Sequence, residues 1–275
     1  MLEENLFTIA IPKGRLLPDC QRVLSGAGFQ CGELQEDTRK LVFDVDDARF
    51  ILARPTDVPV YVEYGAADVG IVGKDVLMEE ARDVYELVDL GFGFCRFVVA
   101  APSTLAAEMS RILDTPGGSS HRALRVATKF PRVAETYFNA RGINVKIIPL
   151  HGATELAPQA GLSDLIVDIV STGRTLAEND LVVVSEIATA TARLIANRAS
   201  FGLKIARIRA LLDAIRPLAN GNKNERKPAA DDRGRISQDG KIREPAMKQD
   251  RKMREPTMEQ DGKTGEPEIE AGDGA

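Results

Sequence analysis

The chain has 275 residues, 44% of them hydrophobic, with a formal net charge of -5, no Trp and 5% aromatics. That is enough apolar material for a large core. The acidic balance and scarce aromatics argue against a nucleic-acid or anionic-membrane surface as the main partner. Three cysteines without CxxC spacing and only two histidines, His121 and His151, exclude a disulfide framework, a zinc knuckle and a multi-histidine metal site. The opening "MLEENLFTIAIPKGRL" is acidic first, with too short an apolar core for a signal peptide, and no apolar run reaches spanning length. A reduced, cytoplasmic setting is the expectation.

In chain order, "LFTIAIP" reads as a strand and "GRLLPDCQRVLSGAGF" as a helix ended by glycine. "KLVFDV" and "RFILAR" are further strands in the position of a hairpin. "DVPVYVEYGAADVGIVGKDVL" gives helix, tight turn, strand and a new helix start, and "GFCRFVVAAP" a strand leaving this unit. A second series follows: strand "LRVATK", helix "FPRVAETYFNARGI", strand "NVKIIPL", helix "GATELAPQAGL" and strand "DLIVDIV". Such alternation means a mainly parallel sheet with covering helices. The series echo each other: "YGAADVGIVGKDVL" and "AGLSDLIVDIVSTGRTL" both run Gly, linker, Asp, apolar strand, Gly turn. The expected fold is therefore α/β, two similar lobes around a central cleft. "SEIATATARLIANRASF" is expected as a final helix crossing back to the first lobe.

Past Phe201 no aromatic residue occurs, and composition breaks near Pro217. The tail repeats "GKIREPAMKQD", "RKMREPTMEQD" and "GKTGEPEIEAG", each with one proline. A period of eleven is that of a right-handed coiled coil, but a proline per unit and few large apolar residues rule it out. Residues 217–275 are thus expected to be disordered, unable to offset their ordering entropy. The expected division is lobe I at 1–95 plus about 184–216, lobe II at 96–183, then the tail.

In α/β sheets ligands collect beyond the carboxyl ends of the strands. There "LIVDIVSTGRTL" offers the hydroxyls of Ser171, Thr172 and Thr175, a permissive Gly173, Arg174 and a run of backbone N–H groups, the makings of an anion cradle. Asp168, inside the apolar run, is placed to accept hydrogen bonds from two vicinal sugar hydroxyls. Together they describe a grip on ribose 5-phosphate. The alternative is an ordinary strand-to-helix loop with Asp168 as a satisfied turn acid, and so short a motif does not decide between them.

The longer stretch Glu155–Leu176, "ELAPQAGLSDLIVDIVSTGRTL", resembles the signature of the ATP phosphoribosyltransferases, first enzymes of histidine biosynthesis. Glu155, Gly161, Ser163, Ile166, Asp168, Thr172, Gly173, Thr175 and Leu176 all fit it. "IPKGRL" is similar to the family's N-terminal "KGR", and "RPTDVPVYVEYGAAD" to a pattern of its short form. The resemblance implies a periplasmic-binding-protein-like (type II) fold and a pentosyltransferase. This enzyme would move the 5-phosphoribosyl group from phosphoribosyl diphosphate to N1 of ATP with Mg²⁺, releasing pyrophosphate. It implies Glu155, Asp168, Ser171, Thr172, Gly173, Arg174 and Thr175 at the phosphoribosyl diphosphate. Arg15 and Arg39 would supply leaving-group charge, and Lys13, Arg54, Asp57, Lys129 and Tyr137 would contact ATP or the cleft. For some of these a structural role stays open: Arg39 as a solvated cation, Asp57 as a helix cap, Tyr137 as core. Asp68 and Asp75 are read as shaping Gly-rich turns, and His151 either as lining the cleft or, as is commoner for a lone histidine, as structural.

The resemblance also implies a hetero-oligomer with a regulatory subunit resembling histidyl-tRNA synthetase. Two other readings compete. A non-catalytic two-lobe small-ligand-binding protein shares the architecture, and a salvage phosphoribosyltransferase usually carries two adjacent acids where this chain has Asp168 and Ile169.

Overall fold

The computed structural model describes residues 6–32, 34, 39–115 and 122–221. All belong to one compact unit, Met1–Lys227; a second unit, Pro228–Ala275, lies outside the described residues. The repeats of the tail and His121 therefore lie outside them too.

The first series of elements is β1 (Phe7–Pro12), α1 (Leu17–Gly26), β2 (Val42–Val45), β3 (Ala48–Ala53), α2 (Val58–Glu63), β4 (Val69–Gly73), α3 (Lys74–Glu80) and β5 (Tyr85–Asp89). The second is β6 (Cys95–Pro102), α4 (Ala106–Asp114), β7 (Leu124–Thr128), α5 (Pro131–Asn139), β8 (Val145–Pro149), α6 (Leu156–Gln159), β9 (Leu165–Val170), α7 (Arg174–Glu178) and β10 (Leu181–Ala190). The chain then returns through β11 (Ala192–Ala196), α8 (Arg198–Leu203) and α9 (Ile205–Gly221).

The sheets run β2-β3-β1-β4-β11-β5 and β10-β6-β9-β7-β8. In each, the lobe's own first strand lies between two parallel partners: β1 between β3 and β4, β7 between β8 and β9. An antiparallel strand delivered from the other lobe follows, β11 against β4 and β6 against β9. The two lobes are thus the same design with strands exchanged, as the echo in the sequence implied. β2 and β3 do form a hairpin; Asp46 takes φ 54 in its two-residue turn, the sign such tight turns need.

The repeat extends to side chains. Asp68 sits just before β4 and Asp164 just before β9, equivalent strands of the two lobes. The Asp68 carboxylate accepts from the Thr8 N–H at 2.9 Å, and the Asp164 carboxylate from the Arg125 N–H at 2.8 Å. Asp68 thus ties β4 to the start of β1, and Asp164 ties β9 to the start of β7. Lys204 and Ser200 complete the Asp68 site, both at 2.7 Å, while Arg122 and Arg125 complete that of Asp164.

Strand alternation explains the cores. Phe7, Ile9 and Ile11 face α1 and α9, packing on Leu24, Phe50, Ile208 and Ile215, whereas Ala10 faces Val58 and Val62 of α2. In β9, Leu165 and Val167 join Val126 and Phe138 on one face, and Ile166 and Val170 join Ala127 and Ala157 on the other. Asp168 lies between Ile166 and Val170 in that second row, which brings a carboxylate to the edge of an apolar layer.

Three expectations need correction. "SEIATATARLIANRASF" is no helix: Ser185–Ala190 completes β10 and Ala192–Ala196 is β11, with only Arg198–Leu203 helical. Its alanines favour helix weakly, but β11 is hydrogen-bonded to β4 on one side and β5 on the other, and that pairing overrides propensity. Because β10 pairs with β6, the chain stays with the second sheet through Ala190 and returns at Thr191, not near 184. Finally, Pro217 does not end the fold; it lies inside α9. Ile208, Leu211, Leu212, Ile215 and Ala219 are buried at helical spacing, and Leu218 packs so closely on Gly26 of α1 that a Cβ there would sit 2.7 Å from it. Among the described residues no helix is long and apolar enough to cross a membrane.

Candidate active site

Beyond β9 the chain turns at Ser171–Gly173 into α7. Gly173 has φ 78, a left-handed conformation that a side chain would strain. No backbone N–H from Ser171 to Thr175 donates to a protein acceptor among the described residues. These donors curl around a pocket of about 220 Å³ lined by Glu155, Asp168 and the continuous run Ile169–Leu176. Every residue assigned from the sequence to phosphoribosyl diphosphate lines this pocket. A concave set of unspent N–H donors beside hydroxyls is a site for a phosphate group.

Asp168 is buried, 6% exposed, and its carboxylate is fixed. One oxygen accepts from the Ile169 N–H at 2.7 Å; the other accepts from the Thr154 hydroxyl, with Lys129 Nζ 3.7 Å away. Lys129 therefore stands in the second lobe next to the acid. Arg174 directs its guanidinium away along α7 to Glu178 at 2.8 Å, so what it offers the pocket is backbone.

The first lobe supplies the opposing wall. β1 ends at Pro12, the Lys13 N–H is held by the Ala53 carbonyl at 2.8 Å, and Gly14, at φ 83, turns the chain. Arg15 leaves this turn and donates from Nη1 to the Ser171 hydroxyl at 2.9 Å, spanning the cleft to the loop after β9. A second bridge lies alongside: Glu79 of α3 accepts from the N–H groups of Arg132 and Val133, both at 3.1 Å, capping α5 from the other lobe.

Arg54 and Asp57 are exposed just past β3, on the same edge as Lys13, and Asp57 makes no side-chain cap to α2. Arg39 is exposed before β2, whose start is level with the carboxyl end of β3, so it too lies on this edge but outside the pocket lining. Tyr137 is not in the cleft. It is 5% exposed in the core of the second lobe, its hydroxyl donating to Ser185 at 2.7 Å, because it falls on the apolar face of α5 beside Phe138. His151 is exposed after β8.

Sequence reasoning missed Thr154, which carries no local pattern, and the neighbourhood of Cys95. This thiol is 1% exposed; burial and then the charge of Asp75 push it up to about 11, against the pull of Arg15. Burial likewise raises Cys20 and Cys31. The native protein should therefore be silent to a thiol reagent at neutral pH and release all three cysteines on unfolding, as an absorbance assay would count.

Known proteins similar to this chain in sequence fall in one family. The family model described as ATP phosphoribosyltransferase matches residues 54–217. The chain is 54% identical over 217 residues to an ATP phosphoribosyltransferase of Moorella thermoacetica, covering 78% of this chain and 94% of the relative. It is 51% identical over 222 residues to one of Desulfitobacterium hafniense, covering 79% and 98%. Among solved structures it is similar to a chain of the ATP phosphoribosyl transferase (HisG:HisZ) complex from Thermotoga maritima, with TM-score 0.64, 33% identity, and coverage of 78% of this chain and 100% of that one.

Proposed function

Since this chain belongs to the ATP phosphoribosyltransferase family, we propose that its interlobe cleft performs the family's reaction with the residues placed there. That reaction transfers 5-phosphoribosyl from phosphoribosyl diphosphate to N1 of ATP, releasing pyrophosphate, and opens histidine biosynthesis. The adenine N1 lone pair forms a bond to the anomeric carbon as the C–O bond to the diphosphate breaks, its electron pair leaving with the diphosphate. Because N1 brings its own lone pair, no general base is needed. Positive charge grows on the sugar and negative charge on the leaving group, so positioning and electrostatics carry the rate.

The 5-phosphate occupies the Ser171–Thr175 cradle and Asp168 accepts from the two ribose hydroxyls. Arg15, reaching across to Ser171, supplies charge to the diphosphate; Arg39 is a second cation on the first-lobe edge. Lys13, Arg54 and Asp57 on that edge face ATP, and Lys129 stays with Asp168. Mg²⁺ favours oxygen ligands and keeps company with substrate phosphates. The pocket fits it: Glu155 and the loop hydroxyls offer oxygen ligands, with Asp168 left to the sugar. Mg²⁺ bound there would neutralise diphosphate charge.

The observation that carries this reading is the pocket where a fixed acid meets a run of unspent N–H donors. Its test is incubation of the purified protein with ATP, Mg²⁺ and phosphoribosyl diphosphate, following the ultraviolet change on N1 ribosylation. Asp168→Asn should raise KM for phosphoribosyl diphosphate by about 10–100-fold, the scale of hydrogen bonds to a charged group. Absence of product, even with a regulatory subunit added, would overturn it.

The curated relatives are covered over 94% and 98% of their length by 217 and 222 residues, the size of the family's short form. The regulatory partner is a subunit resembling histidyl-tRNA synthetase, and the HisG:HisZ complex supports a hetero-oligomer. The setting is cytoplasmic.

A further inference from the structure

Thr154 is fully buried, 0% exposed, in the loop between β8 and α6. Its hydroxyl has one proton, and that proton goes to Asp168 Oδ2. It caps nothing: the N-cap of α6 is Glu155, and only the Thr154 carbonyl serves the helix, accepting from the Ala157 N–H at 3.0 Å. Among the described residues the other direct hydrogen bond to this carboxylate is the Ile169 N–H on Oδ1 at 2.7 Å.

A carboxylate offers about two lone-pair positions per oxygen. Thr154 takes one on Oδ2 and the Ile169 N–H one on Oδ1, so the protein holds the group by one position on each oxygen. That arrangement fixes the roll of the carboxylate about its Cβ–Cγ bond and leaves a lone pair on each oxygen for one member of a vicinal diol. Were Thr154 apolar, Oδ2 would keep only Lys129, 3.7 Å off, and the plane would be free to turn toward it. A carboxylate turned onto Lys129 presents an oxygen pair that no longer matches two adjacent hydroxyls.

We propose that Thr154 is a positioning residue for the phosphoribosyl donor, acting through Asp168 by holding its carboxylate in the orientation that receives both ribose hydroxyls. This rests on the assignment of Asp168 to the sugar. Thr154→Val keeps the shape and removes the hydroxyl; Thr154→Ser keeps the hydroxyl. Steady-state kinetics should show KM for phosphoribosyl diphosphate raised about 10-fold in Thr154→Val, with KM for ATP within about twofold of wild type, and Thr154→Ser close to wild type in both. Thermal unfolding of each variant accompanies the kinetics, since a misfolded Val variant leaves the Ser comparison and the ratio of the two KM values to decide. The proposal is overturned if Thr154→Val leaves KM for the donor unchanged, if both KM values rise together, or if Ser fails as Val does. Asp168→Asn separates the two levels. Loss of donor affinity there without loss in Thr154→Val sinks only the role of Thr154, whereas wild-type affinity in Asp168→Asn sinks the sugar assignment itself.

Discussion

Arg15→Ala lowers kcat by about 30- to 1000-fold, the range of about 2–4 kcal/mol for one preorganised donor to developing charge. The side chain is exposed and outside both cores, so the fold should survive, with the thermal midpoint as the control. The guanidinium crosses the cleft to Ser171, placing positive charge against the phosphate loop before substrate arrives. Charge fixed in advance pays no reorganisation as the C–O bond breaks, which is why the loss should fall on kcat more than on KM for ATP. Arg15→Lys should recover only part of the activity, because an ammonium keeps charge but not the planar fork that can touch a hydroxyl and a diphosphate oxygen together. Wild-type turnover in Arg15→Ala would remove it from the chemistry.

Asp164→Asn destabilises the fold by about 2–4 kcal/mol, or about 5–12 °C in thermal midpoint, without entering the active site. The carboxylate is 6% exposed and accepts from Arg122 Nη1 and Nη2, both at 2.7 Å, from the Arg125 N–H at 2.8 Å and from Arg125 Nη2 at 3.0 Å. An amide cannot receive all of these. The figure stays below that of a fully buried pair because both arginines reach solvent. The hydrogen bond from Arg122 chiefly, then those from Arg125, hold the Asp164 carboxyl well below the usual carboxylate range, against the opposing effect of burial. Its stabilisation is therefore complete above the unfolded value of about 3.9 and is lost as pH falls toward the folded one. Denaturant titrations should show the full gap between wild type and Asp164→Asn at pH 7 and a shrinking gap below about pH 4. A gap independent of pH would rule out the charge as the cause.

The loop proposed to hold phosphate was legible because its features are local. A strand that stops, hydroxyls, a glycine able to take positive φ and one acid in an apolar run sit within "DIVSTGRT", and no distant residue is needed to see them. The lobe repeat was legible for the same reason, since Asp68 and Asp164 mark equivalent strand starts in two similar segments. Fold class followed from alternation alone.

Other features depend on partners far along the chain. Residues 185–196 read as helix by composition and are strands because β6, β4 and β5 offer edges to pair with. Tyr137 carries a polar tip that suits a cleft, yet its place on α5 turns it into the core. Lys129 pairs with Asp168 39 positions later, Arg15 meets Ser171 across 156, and Thr154 finds Asp168 across 14, past α6. Short-range pattern specifies backbone conformation and which face of an element is apolar, and so it was enough to define the cradle and the two-lobe plan. Which side chains meet across the cleft is decided by strand exchange and packing between lobes, contacts that no window of neighbouring residues contains.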